Sequence, residues 1–203
     1  MTADTSSRTS PLAAWADRLA GLAPALTVVE RPFLTQLTVR ASDPDAVAAL
    51  GAALGVAFPA DPCTFTRGDG PFGDVEVLWL GPDEFLVVAR SDLDPRVPVE
   101  EALRTALGSA RGAVVDTSAQ RTTVALAGPH VRDVLAHGCA VDLHPSAAPT
   151  GTCVQTLLAR AGVILQVVDA EAGVFTVLVR SSFAEYLAAW LSDACVEYLA
   201  GVS

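Results

Sequence analysis

Glu84-Phe85-Leu86-Val87-Val88-Ala89-Arg90 and Val174-Phe175-Thr176-Val177-Leu178-Val179-Arg180 lie about 90 residues apart and match at Phe85/Phe175 and Arg90/Arg180. Both are β-rich runs, and the chain around each reads the same way. Around the first copy, Val75–Leu80 joins Phe85–Arg90 through Gly81-Pro82-Asp83-Glu84 as a hairpin. Upstream, Leu34–Arg40 alternates as a strand, Asp43-Pro44 opens a helix through Leu54 that Gly55 closes, and Pro59–Gly73 reads as a loop. Downstream, Pro98 starts a helix ending at Gly108. Around the second copy the order recurs. Strand Arg121–Ala127 precedes a helix over Pro129–Ala136 closed by Gly138. A long hairpin follows, with arms Cys153–Val168 and Val174–Arg180. A final helix has Ser182 and Glu185 in capping-box spacing and is expected to bury Phe183, Tyr186, Leu187, Trp190 and Leu191.

Each half therefore reads strand, helix, hairpin, helix. An extra strand, Gly112–Thr117, sits between them, where it can leave one half and pair in the other. The expected fold class is α+β, built from two interleaved ferredoxin-like (strand-helix-hairpin-helix) repeats, residues 24–110 and 111–203, fused into one compact unit. Ahead of them the sequence predicts a disordered tip, 1–10, and an N-terminal amphipathic helix, 11–23. Ser10-Pro11 supplies its cap and first-turn proline, and Leu12, Trp15, Leu19 and Leu22 recur at helical spacing. Both repeats read as complete without it, so Leu12, Trp15 and Leu19 are partner-interface candidates, set against packing on the chain's own core.

The 203 residues are 51% hydrophobic and 18% charged, which excludes a disordered chain. All 13 basic residues are arginine, which removes Schiff-base and pyridoxal phosphate chemistry and the lysine of a phosphate-binding P-loop. The 23 acidic residues leave a net charge of −10, which argues against nucleic-acid and anionic-membrane partners. No apolar run reaches the roughly 18–20 residues of a membrane span. The longest, Ala46–Ala60, is broken by Gly51, Gly55 and Pro59. Met1–Ser10 has no apolar signal core, so the expected location is cytoplasmic, with Cys63, Cys139, Cys153 and Cys195 reduced.

Gly68-Asp69-Gly70-Pro71-Phe72-Gly73 has the letters of a dinucleotide fingerprint, yet Pro71 interrupts it and a strand follows, so it reads as a flexible loop. His137, Cys139, His144 and Cys153 are ligand types at spacings that match no zinc motif, and no metal is expected. There is no nucleophile elbow, and no catalytic residue is assigned. Asp116-Thr117-Ser118-Ala119-Gln120-Arg121 is the most polar stretch between two strong strands. Asp116, Ser118, Gln120 and Arg121 are thus candidates for a patch facing a ligand or partner, the alternative being a turn that bonds its own backbone.

Val114-Val115-Asp116-Thr117-Ser118-Ala119-Gln120-Arg121, Leu126-Ala127-Gly128-Pro129, Gly138-Cys139-Ala140-Val141-Asp142-Leu143-His144-Pro145 and Cys153-Val154-Gln155-Thr156-Leu157-Leu158-Ala159-Arg160 together resemble the gamma subunit of heterotetrameric sarcosine oxidase. Trp79–Leu86, Val179–Leu187 and the opening Ser10-Pro11-Leu12 extend the resemblance over nearly the whole chain. That family is similar in fold to the folate-binding glycine-cleavage T-protein. The resemblance implies a complex that oxidatively demethylates sarcosine to glycine, with electrons passed to oxygen and the one-carbon unit to tetrahydrofolate. It implies alpha, beta and delta subunits as partners, with FAD, FMN, NAD and tetrahydrofolate on those subunits and none on this chain. The T-protein family carries a Gly-Gly-hydrophobe-hydrophobe-Asp-Asp run, and the matching stretch here is Ala161-Gly162-Val163-Ile164-Leu165-Gln166. With no carboxylate there, the expectation is a docking subunit rather than a folate catalyst, the alternative being a stand-alone folate-binding or folate-dependent one-carbon transfer protein.

Overall fold

Phe85 and Phe175, the aligned pair, lie in separate apolar cores, each beneath the central strand of a five-stranded sheet. The computed structural model describes residues 8–89 and 96–199, so Arg90 of the sequence match lies outside the described residues. The strands are β1 (Thr27–Arg31), β2 (Thr35–Ala41), β3 (Phe65–Gly70), β4 (Gly73–Gly81), β5 (Glu84–Ala89), β6 (Gly112–Asp116), β7 (Arg121–Ala127), β8 (Cys153–Leu158), β9 (Ala161–Asp169) and β10 (Val174–Arg180). The helices are α1 (Ala16–Ala20), α2 (Pro44–Leu54), α3 (Arg96–Leu107), α4 (Val131–Ala136), α5 (Ala184–Ala194) and α6 (Val196–Leu199).

One sheet has the order β3-β4-β5-β2-β6 and the other β8-β9-β10-β7-β1, every pairing antiparallel. The fold is thus mixed α+β with two antiparallel sheets. β1 precedes the first sheet in sequence but pairs with β7 in the second, while β6 pairs back with β2 in the first. Leu37, Val39, Val77 and Phe85 face α2 and α3 through Leu50, Leu54 and Leu103. Val124, Leu165, Phe175 and Val177 face Leu19, Leu135, Leu187 and Leu191 of α1, α4 and α5. A third cluster, Leu78, Leu86, Val88, Cys153, Ile164 and Leu178, lies between the sheets. Helices outside, sheets inside is the arrangement that lets the central strands β5 and β10 bury both faces.

Several local readings need correction. The expected loop at Pro59–Gly73 contains β3, whose glycines hide strand periodicity. Gly68–Gly73 is the β3–β4 hairpin, with Gly70 paired to Gly73. Gly70 is glycine because a Cβ there would lie 2.0 Å from the Leu54 carbonyl, where α2 ends. The single arm expected over Cys153–Val168 is two strands, turned at Ala159 with φ +53°. At α5 the capping box does not form: a 3-10 turn, Ser181–Phe183, precedes the helix. The buried face is accordingly Ala184, Leu187, Ala188 and Leu191, leaving Phe183 and Tyr186 exposed.

The N-terminal segment is also a correction. In place of one helix over 11–23, a 3-10 turn at Ala13–Trp15 leads into the five-residue α1. Leu12 and Leu19 are 2% and 3% exposed, sunk with Leu22 into the core of the second sheet, and Trp15 packs against that core part-buried. Leu12 and Leu19 therefore do not face outward for a partner, because the helix layer of the second sheet has a slot that they fill. Leu19→Ala should accordingly lower the unfolding free energy of the free chain by about 3 kcal/mol, read by urea denaturation. An unchanged midpoint would return Leu19 to an outward-facing role.

Candidate functional site

The chain leaves β6 in one sheet and enters β7 in the other through Thr117–Gln120, and the backbone groups of that crossing need partners. Asp116 Oδ1 accepts from Ser118 N (2.8 Å) and from Ser118 Oγ (2.6 Å). Gln36, near the start of the neighbouring β2, then clamps the link. Its N donates to Ser118 Oγ (2.9 Å), its O accepts from Thr117 N (2.8 Å), and its Nε2 donates to Arg121 O (3.1 Å). Ser181 N donates to Gln120 O (2.9 Å), and the Gln120 side chain is exposed. Asp116, Ser118 and Gln120 thus serve the crossing itself, which is the turn alternative for this stretch. Gln36 is the residue that sequence reasoning missed. A buried glutamine in a strand would have been its signal.

Arg121 is different. It is half-buried where β7 begins, between two clefts. One, of about 370 Å³, is lined by Arg8, Phe33, Ser118, Arg121, Thr122 and Ser181. The other, of about 330 Å³, is lined by Gln155, Leu157, Gly162, Leu178 and Arg180 as well as Arg121. Arg121 and Arg180 are directly opposite in the β7–β10 register. Burial first, and the positive charge of Arg180 second, push the Arg121 guanidinium below its ordinary value. An arginine stays protonated regardless, so two like charges remain side by side. Arg121 Nη1 is buried without a hydrogen-bond partner.

The stretch matched to the T-protein acid run lies on β9. Leu165 points into the helix-side core. Gln166 is fully buried on the opposite, inter-sheet face, where its Nε2 donates to Glu76 Oε2 of β4 at 3.1 Å. A ligand could reach Gln166 only by parting the sheets, so this position does not fit tetrahydrofolate. His137, Cys139, His144 and Cys153 do not converge on a metal site. His137 Nε2 meets Glu197 (2.8 Å), and His144 Nδ1 meets Ser146 Oγ (2.7 Å). Cys153 is sealed between the sheets, and burial pushes its thiol up to about 12. Among the described residues no group of three His, Cys, Asp or Glu is arranged to hold a metal ion.

This architecture defines a class. The aminomethyltransferase T of the glycine cleavage system from Bartonella henselae superposes with a TM-score of 0.62 over 87% of this chain and 48% of that one, at 16% identity, which establishes a shared T-protein-like fold. The family model described as sarcosine oxidase, gamma subunit family, matches residues 38–197. The chain is 37% identical to the sarcosine oxidase subunit gamma of Corynebacterium sp. strain U-96 over 87% of its own length and 82% of the relative's. It is also 37% identical to that of Arthrobacter sp. over 96% and 93%. A solved chain of the heterotetrameric sarcosine oxidase from Corynebacterium sp. U-96, in complex with pyrrole 2-carboxylate, superposes with a TM-score of 0.85, covering 97% of this chain and 98% of that one at 36% identity. The chain belongs to the sarcosine oxidase gamma subunit family.

Two measurements check the interior. Gln166→Asp puts a second carboxyl beside Glu76, where burial and like charge hold it protonated more strongly than in the unfolded chain. A folded-state pKa raised in this way makes the variant lose stability as pH rises, so its melting temperature should fall further below wild type at pH 8 than at pH 5. A pH-independent gap would mean the position is open to water. With iodoacetamide at pH 8, the exposed Cys63 should alkylate and Cys153 should not until the chain is unfolded. Labelling of Cys153 in the native chain would show that the sheets separate.

Proposed function

We propose that this gamma subunit is a docking subunit without its own active site, in a complex that oxidatively demethylates sarcosine to glycine, transfers the one-carbon unit to tetrahydrofolate and passes electrons to oxygen. The observation that carries this reading is the superposition on a chain of heterotetrameric sarcosine oxidase over nearly the full length of both. The sealed Gln166 supports it, since the T-protein-like scaffold here lacks both the acid and the access a folate catalyst needs. Alpha, beta and delta subunits are the partners in this reading, and they carry FAD, FMN, NAD and tetrahydrofolate. The assembly works in the cytoplasm. Among the described residues no helix is long and apolar enough to cross a membrane.

In the same reading the halves 24–110 and 111–203 are interleaved ferredoxin-like repeats. What supports this is the common strand order. β5 and β10 hold equivalent central places, and β6 and β1 are the edge strands beside β2 and β7.

Co-expression with the partner subunits, followed by gel filtration, tests the assignment. The chain should elute with them, while the chain purified alone should be colourless. Calorimetry on the free chain should give no tetrahydrofolate binding in the low-micromolar range. Elution apart from the other subunits together with tight folate binding would favour the stand-alone folate protein.

A further inference from the structure

The face of the second sheet that looks toward the first is not fully covered. Along it, successive rows across β7, β10, β9 and β8 run Ala125-Thr176-Gln166-Cys153, then Thr123-Leu178-Ile164-Gln155, then Arg121-Arg180-Gly162-Leu157. The first two rows are largely buried against the other sheet, except that Gln155 reaches across to donate to Leu80 O at 2.8 Å. The last row lies past that contact and floors the cleft of about 330 Å³, whose lining comes from the second sheet alone. Gly162 makes a notch in it: a Cβ built there meets nothing within 4 Å.

Charge says what the notch takes. Arg40 pairs with Glu84 at 2.6 Å, Arg67 with Asp74 at 2.9 Å and Arg104 with Glu100 at 2.5 Å, while Arg132 donates to main-chain carbonyls. Among the described residues neither Arg121 nor Arg180 makes an ion pair, although the chain has 23 acidic side chains against 13 arginines. Glu84, paired with Arg40, acts on Arg121 through its charge without forming an ion pair with it, so two adjacent guanidiniums remain without a bonded acid and match one carboxylate, which a planar fork binds through two parallel N–H donors. Beside them Leu157 is exposed. At the same end of the sheet Tyr186 accepts from Arg160 N of the β8–β9 turn, and the exposed Phe183 packs edge-on against Tyr186 at 6.1 Å. The cleft mixes arginine with apolar Leu157 and Leu178, and tyrosine and phenylalanine stand at the same end of the sheet outside it, all residue types frequent in protein interfaces. A free small acid gains little from a cleft walled on one side only, whereas a protein segment supplies its own second wall.

We propose that the row Arg121-Arg180-Gly162-Leu157 is a docking notch that receives an Asp or Glu side chain, borne on an apolar-flanked segment of a partner subunit. This rests on the reading of the chain as a subunit of an oxidase complex and names where and how it attaches. The carboxylate enters between the two guanidiniums, and the flanking apolar side chains of the segment cover Gly162 and Leu157.

The test is co-expression of Arg180→Glu, Gly162→Leu and a control, Arg104→Glu on the far helix layer, with the partner subunits, each chain tagged for pull-down. Arg180 is exposed and the Gly162 site is open, so both variants should melt as wild type does. Wild type and Arg104→Glu should assemble alike, while Arg180→Glu and Gly162→Leu should retain on the order of tenfold less partner, with the wild-type association rate falling as salt rises. Assembly of both notch variants at wild-type level overturns the proposal. So does micromolar binding of glutarate by the free chain with assembly indifferent to the variants, since the notch would then serve a small acid. If wild type itself fails to assemble, the subunit reading falls and this inference falls with it. A folded Arg180→Glu that alone loses assembly leaves the wider reading intact.

Discussion

Everything in this chain depends on its crossing between two sheets twice. β1 must leave the second sheet to reach β2 in the first, and β6 must leave the first to reach β7 in the second. Each crossing carries peptide groups from one layer to the other across the end of the sheets, and those shielded from water need partners, since an unpaired buried group costs about 1–3 kcal/mol. Gln36 meets this at the second crossing with hydrogen bonds through its N, its O and its Nε2. At the first, Glu30 accepts from Thr122 Oγ1 at 2.6 Å and from Ser10 Oγ, tying the end of β1 to β7 and to the start of the described chain. The two crossings lie side by side, so the polar residues of one help fasten the other.

The layer between the sheets follows from the same constraint. It combines an apolar cluster with buried Thr123, Thr176, Gln166 and Glu76, unlike the two helix-facing cores, which are almost wholly aliphatic and aromatic. Apolar surfaces alone would let two sheets slide, because the hydrophobic effect has no direction. The Gln166–Glu76 bond does have one, and it joins β9 to β4 at a single relative position. A residue that stands where a related fold carries a reactive acid has become part of the joint between sheets.

The long apolar strands were legible in the sequence because β5, β7 and β10 keep β-rich composition over whole lengths, and α2 because Asp43, Pro44 and Gly55 mark both of its ends. β3 was not, since three of the six residues Phe65-Thr66-Arg67-Gly68-Asp69-Gly70 are glycine or aspartate, and the glycines are explained only by the close approach of Leu54 and Val56 at the end of α2. β1, five residues between prolines, carries too short a pattern, and its pairing with β7, almost a hundred positions away, leaves no local trace. The polar stretch at the second crossing was visible as polar, but its purpose lay in Gln36, eighty residues upstream. The amphipathic stripe at Leu12 and Leu19 is legible in the sequence as a face that must be buried, with a partner and the chain's own core both open, because periodicity tells that a face is buried and not by which surface.

The exchange of β1 and β6 also sets an order in time. A ribosome delivers β2 through β6 as one continuous run, so the first sheet can close as soon as residue 116 has emerged. β1 is delivered before any of it, yet its place lies beside β7, and β7 is held on its other side by β10, the last strand made. The leading strand therefore waits, unpaired, through the synthesis of most of the chain, with the exposed Val29 on it. A strand in that state is open to foreign pairing. Its brevity, with Glu30 and Arg31 in five residues, suits a segment that must stay soluble alone until β7 has been made.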